Sequence, residues 1–140
     1  MWVWCCIMNN LEKSYIAGFI DGEGWIGLVY RDTTNKFNQR IKSKTNFRTM
    51  ISIANTNFSI LEWIKEKIGK GWISGSKGIN KNFKPSYQYQ ISGYKSVLLI
   101  LEKIEPFLRV KKKQAELLIE YCKIHKDKRF NRTKDKFGRF

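Results

Sequence analysis

Apolar residues recur at helical spacing from Asn10 to Ile20. Ile16 and Ile20, with Ala17, form one stripe, and Asn9 or Asn10 stands where a cap is needed. Gly22 and Gly24 follow, and they are expected to end this helix. A second stripe on it contains only small residues, Ser14, Gly18 and Gly22, at every fourth position. Glycine inside a helix costs about 1 kcal/mol relative to alanine. Such a row predicts that another helix approaches closely, as in membrane helix pairs, here with Tyr15 and Phe19 as buried flanks. We read this face as one for self-association rather than internal packing.

Downstream the period changes from helical to alternating. Trp25–Asp32 places Ile26, Leu28 and Tyr30 on one side and Gly27, Val29 and Arg31 on the other, the pattern of a half-buried strand. Residues 33–45 are polar, basic and without period, hence a long loop. Asn46–Asn55 alternates again, with Phe47, Thr49, Ile51 and Ile53 against Arg48, Met50, Ser52 and Ala54. Asn57 then caps a helix carrying Ile60, Leu61, Ile64 and Ile68, with Trp63 beside them, and Gly69 stops it. Two short strands follow at about 71–76 and 86–92, the second with Tyr87, Tyr89 and Ile91 opposed to Gln88, Gln90 and Ser92. A helix from about Lys95 to Ile104 breaks at Glu105-Pro106. A last helix from about Lys111 to Lys126 turns Ala115, Leu118, Ile119 and Cys122 inward. The order αββαββαα predicts an α+β domain with a four-stranded, mainly antiparallel sheet. The chain divides into an apolar extension (1–10), one domain (11–126) and a basic tail (127–140).

With 140 residues and 42% hydrophobic content, the chain has material for one packed domain. The formal net charge of +15 exceeds what folding needs and implies a polyanionic partner. Cys5, Cys6 and Cys122 include no C-x-x-C pair, which excludes zinc ribbons, and an odd count argues against a disulfide scaffold. His125, the one histidine, lies among lysines and reads as a solvated helix-end residue, so histidine-based acid–base catalysis is not expected. The apolar start, Met1–Met8, is shorter than the roughly 20 residues of a membrane helix and lacks a charged leader and cleavage site. It either packs on the domain or precedes initiation at Met8. A soluble, intracellular protein with no membrane partner is expected.

Where the charges lie says more than their sum. Residues 1–30 carry one base, Lys13, against three acids, Glu12, Asp21 and Glu23, whereas the loop and the C-terminal third are strongly basic. An acidic island in a polyanion binder suits a divalent cation held against phosphate. Glu12 and Asp21 read as helix-end residues, and Glu23 remains as the candidate. The polar strand faces carry Arg31, Arg48, Ser52, Ser74, Ser76, Gln88 and Gln90, and the loop adds Arg40 and Lys42. These side-chain types contact phosphates and base edges, and a two-stranded ribbon fits the DNA major groove.

The string Tyr15-Ile16-Ala17-Gly18-Phe19-Ile20-Asp21-Gly22-Glu23-Gly24 closely resembles the motif of the LAGLIDADG homing endonucleases. It occurs once in these residues, and the resemblance spans roughly 11–125. It implies a curved antiparallel sheet that binds double-stranded DNA, with helices on the other face. It further implies a homodimer through the motif helix, with Ser14, Tyr15, Gly18, Phe19, Asp21 and Gly22 at or near the interface. By the same resemblance Glu23 holds Mg²⁺ or Mn²⁺, with the Gly22 carbonyl as a second ligand, and Asp21 serves the helix end or interface. Glu23 stands where the family often has Asp, and Asn55 where it often has Gln to orient water. Lys111, after Pro106-Phe107-Leu108-Arg109-Val110, matches a lysine that polarises water or phosphate, although Lys112 and Lys113 adjoin it. The implied activity is site-specific cleavage that leaves short 3′ overhangs and promotes intron mobility. Two globules of roughly 37 Å side by side span about 20 base pairs, so the site should be pseudo-palindromic and of that length. The alternatives are a maturase of the same family that binds intron RNA, and a DNA-binding regulator that does not cut.

Overall fold

A computed structural model describes residues 8–30, 47–76 and 84–130, with side chains to Gly75 in the second of these segments and to His125 in the last. Helix α1 (Asn10–Glu23) begins at Asn9, whose side-chain oxygen accepts the Glu12 N–H at 2.8 Å. It does not stop at Gly22. Ile16, Ala17 and Ile20 are fully buried, and their packing carries the helix through both internal glycines to Glu23. Gly24 ends it in extended backbone, where a Cβ would lie 2.8 Å from the carbonyl oxygen of Ile20.

Strand β1 (Gly24–Tyr30) pairs antiparallel with β2 (Phe47–Asn55). After α2 (Phe58–Ile68) come β3 (Trp72–Ser76) and β4 (Ser86–Ser92), and the sheet order is β1-β2-β4-β3, antiparallel throughout. Then follow α3 (Tyr94–Ile104), a 3₁₀ turn at Glu105–Phe107, and α4 (Lys112–Phe130). Asn57 caps α2 by accepting the Ile60 N–H, and Gly69 closes it at φ 79°, a left-handed conformation that favours glycine. The predicted element order and α+β class hold.

The core face of the sheet is built in rows. Ile26, Ile51 and Ile91 lie side by side, as do Ile53 and Tyr89, and the helices bury them with Ile16, Ile20, Leu61, Ile64, Val97, Leu101, Ala115 and Leu118. The apolar stripe expected on β1 reaches the core only at Ile26. Leu28 and Tyr30 are exposed, and Tyr30 meets its cross-strand neighbour Phe47 edge to face at 5.8 Å. In the central strand β2 all five residues from Thr49 to Ile53 are buried, so its outer positions Met50 and Ser52 are covered as well.

Helix α4 runs past Lys126 to Phe130, so the first residues assigned to the tail are helical. His125 is therefore not a solvated helix end. Its ring stacks on Tyr94 at 5.4 Å and packs on Tyr121 at 4.1 Å. Cys122 is fully buried, and burial pushes its thiol up to about 11, against a smaller opposing effect of the Thr49 hydroxyl. The thiolate is the reactive form. Cys122 should therefore resist iodoacetamide at neutral pH until the protein is denatured. Peptide mass mapping checks this, and labelling at the rate of a free thiol would contradict it. Among the described residues no helix is long and apolar enough to cross a membrane.

Candidate metal-binding and nucleic-acid interface

The motif helix ends against the start of α4, and one carboxylate makes the joint. Asp21 Oδ2 accepts the Arg109 backbone N–H at 2.8 Å, and Oδ1 accepts that of Lys111 at 2.9 Å. The Lys111 ammonium reaches back to the carbonyl oxygen of Asp21 at 2.6 Å. Burial works to raise the Asp21 carboxyl, but the N–H groups of Arg109, Lys111 and Val110 and the Lys111 charge together hold it below its ordinary value. Successive N–H groups cradling an anion form a nest at the N-terminal end of α4. It offsets the unfavourable placing of Lys111, Lys112 and Lys113 at the positive end of that helix.

The last carbonyls of a helix have no partner inside it, and that end carries partial negative charge. No basic residue occupies the last turn of α1, and Glu23 is exposed there. The C-terminal end of α1 therefore attracts cations, and Lys111 already answers one of its carbonyls. Among the described residues no three His, Cys, Asp or Glu side chains cluster as a metal cage. Mg²⁺ does not require one, since it is commonly held by one or two carboxylates, substrate phosphates and water. Glu23, with the carbonyl of Gly22, fits that kind of site. Asn55 ends β2, and its side-chain oxygen accepts the Asn57 N–H at 2.7 Å. Because Gly24 pairs with Ile53, Asn55 arrives at the same end of the sheet as Glu23.

The small-residue stripe faces outward. Ser14, Gly18 and Gly22 are exposed, and a Cβ on either glycine would meet nothing within 4 Å. Among the described residues nothing packs against these glycines. Tyr15 is 51% exposed rather than buried, standing edge-on to Trp63 at 5.5 Å, and Phe19 is half-buried. Tyr15, Ile60 and Trp63 line an apolar recess of about 330 Å³ beside the stripe.

On the outer face of the sheet, Ser74 and Gln88 are exposed, and Arg48 and Gln90 half-buried. Ser52 is only 7% exposed, and its hydroxyl accepts a hydrogen bond from Gln88 Nε2 at 2.6 Å. Arg31, Arg40 and Lys42 lie outside the described residues, as does the side chain of Ser76. The register sets Trp25, Ser52, Gln90 and Trp72 in one row across all four strands. Both tryptophans are open, at 46% and 41%, and neither is among the contacts expected from the sequence. The Trp25 ring lies against Gly27, where a Cβ would come within 2.7 Å of it. Period-two alternation already put them on the polar face. Their usual place in cores hid that signal.

A family model described as LAGLIDADG endonuclease matches residues 16–125. The chain belongs to the LAGLIDADG endonuclease family. Its motif helix is α1, and the match runs on to His125 in α4. Among solved structures, homing endonuclease I-CvuI, in complex with the I-CreI target in the presence of 2 mM Mg, superposes with a TM-score of 0.63. The two are 23% identical, and the match covers 81% of this chain and 66% of that one. The archaeal intron-encoded homing endonuclease I-Vdi141I, complexed with DNA, gives a TM-score of 0.64 at 25% identity, over 84% of this chain and 70% of that one. Meganuclease I-SmaMI, bound to uncleavable DNA, gives 0.65 at 15% identity, over 86% of this LAGLIDADG chain but 39% of its own. No curated protein matches the chain in sequence.

Proposed function

We propose that this LAGLIDADG chain is a site-specific endonuclease for double-stranded DNA, working as a homodimer with Mg²⁺ or Mn²⁺. The observation that carries the reading is the convergence, at the C-terminal end of α1, of an exposed carboxylate, Glu23, and an anchored ammonium, Lys111. Hydrolysis of a phosphodiester builds negative charge on phosphoryl oxygens, so a cutting site needs fixed positive charge and a place for a cation. Glu23 and the Gly22 carbonyl would hold that cation. When bound, it supplies charge stabilisation and lowers the pKa of water. Lys111 presents its ammonium to the scissile phosphate or the attacking water, and Asn55 orients water at the sheet end.

The outer sheet face carries the DNA. Arg48, Ser74, Ser76, Gln88 and Gln90, with Arg31, Arg40 and Lys42 from the flanking segment, contact phosphates and base edges, while the buried Ser52 hydroxyl holds Gln88 rather than reaching DNA itself. The net charge of +15 supports this, as do DNA complexes among the structural relatives. The exposed stripe of Ser14, Gly18 and Gly22 supports pairing of two motif helices, flanked by Tyr15, Phe19 and the Asp21 turn. A two-fold pair brings one Glu23 to each DNA strand, over a pseudo-palindromic site of about 20 base pairs.

The test is incubation with the intronless allele of the host gene and Mg²⁺, followed by mapping of the cut ends. We expect one staggered double-strand break with short 3′ overhangs, a break that would promote intron mobility, and its abolition by EDTA. Binding without any break would favour a regulator.

A further inference from the structure

We infer that Asp21 is a positioning residue, holding Lys111 at the end of the motif helix so that its ammonium faces the reacting phosphate. The inference rests on the endonuclease reading, and it adds a residue which that reading left at the helix end or interface.

The geometry is reciprocal. The side chain of Asp21 takes the backbone of Lys111, and the side chain of Lys111 takes the backbone of Asp21. The lysine is thereby fixed at both ends of its flexible stem, across a separation of 90 residues. A lysine ammonium on a four-carbon chain has no directional preference of its own, so precision has to come from such anchors. The same contacts single out one lysine from the run of three. Lys111 is half-buried and tied to α1, whereas Lys112 and Lys113 are exposed and Lys112 leans towards Glu105 at 3.9 Å. The clamp is not needed to attach α4, which is already held by buried Ala115, Leu118 and Cys122, and the turn before it by Leu108. The carboxylate acts on where Lys111 points.

Asp21→Asn keeps the size but puts an amide N–H₂ against one of the two backbone N–H donors, which breaks one leg of the clamp. Single-turnover cleavage with Mg²⁺, DNA affinity by fluorescence anisotropy, and thermal unfolding are to be measured for Asp21→Asn, Lys111→Met and the double variant. We expect Asp21→Asn to slow cleavage roughly ten- to hundredfold, with affinity within about threefold. On the Lys111→Met background it should slow cleavage less than about twofold. Asp21→Glu, which keeps both acceptor oxygens, should recover part of the rate. A second readout needs no activity. In reductively ¹³C-methylated protein, the Lys111 methyl signal should shift in Asp21→Asn while other lysine signals stay in place.

An equal slowing in both backgrounds, or an unmoved Lys111 signal, overturns the positioning role alone. Cleavage by Lys111→Met at the wild-type rate overturns the endonuclease assignment of Lys111, and the positioning role with it.

Discussion

Glu23→Gln is expected to lower the single-turnover rate of DNA cleavage by roughly a hundred- to a thousandfold, while DNA affinity stays within about threefold. The magnitude follows from the several kcal/mol of transition-state stabilisation that a bound cation gives, at about 1.4 kcal/mol per tenfold. Glutamine has the shape of glutamate but no charge, and it is a poor ligand for a hard cation. Glu23 is exposed at the last residue of α1, so the change leaves the core intact. The basic surface and the outer sheet face, which are proposed to set affinity, do not include it. Rates at saturating Mg²⁺, beside anisotropy titrations, separate the two effects. Cutting at the wild-type rate would remove Glu23 from the metal site.

Gly18→Leu should convert the proposed dimer to a monomer without loosening the fold. Among the described residues a Cβ at residue 18 meets nothing within 4 Å, and the position is exposed. Leucine is also the better helix former, by roughly 0.8 kcal/mol, so the isolated chain should unfold at the same temperature or slightly higher. Between two motif helices in close contact, each new side chain has no room. Sedimentation velocity should show the loss of the dimer, and calorimetry the unchanged domain. A Gly18→Leu protein that still sediments as a dimer would place the contact elsewhere.

The parts of the fold that follow from local pattern could be read from the sequence. Asn9 and Asn57 cap their helices, Gly69 ends one, and alternation assigns the faces of β2 and β4 correctly. Tertiary packing decided the rest. Gly22 looks like a helix end, but the buried stripe of Ile16, Ala17 and Ile20 continues the helix beyond it. Ser52 looks solvated, but Gln88 from the neighbouring strand closes over it. His125 looks like a loose end because its aromatic partner Tyr94 is 31 residues away. At the candidate site the motif marks Glu23, and the Pro106-Phe107-Leu108 turn points to Lys111. The role of Asp21 was not legible, because its partners lie 88 to 90 positions along the chain.

That long-range closure has a consequence for synthesis. A nascent chain that has emerged as far as Ser92 already contains the residues of the motif helix, Glu23 and the four described strands, which carry most of the sheet positions proposed to engage DNA. It does not yet have Lys111, and the end of α1 is without its cation. The residues proposed to touch DNA are thus synthesised before the lysine proposed to help cut it, and the helices that close the core over the sheet, α3 and α4, come last.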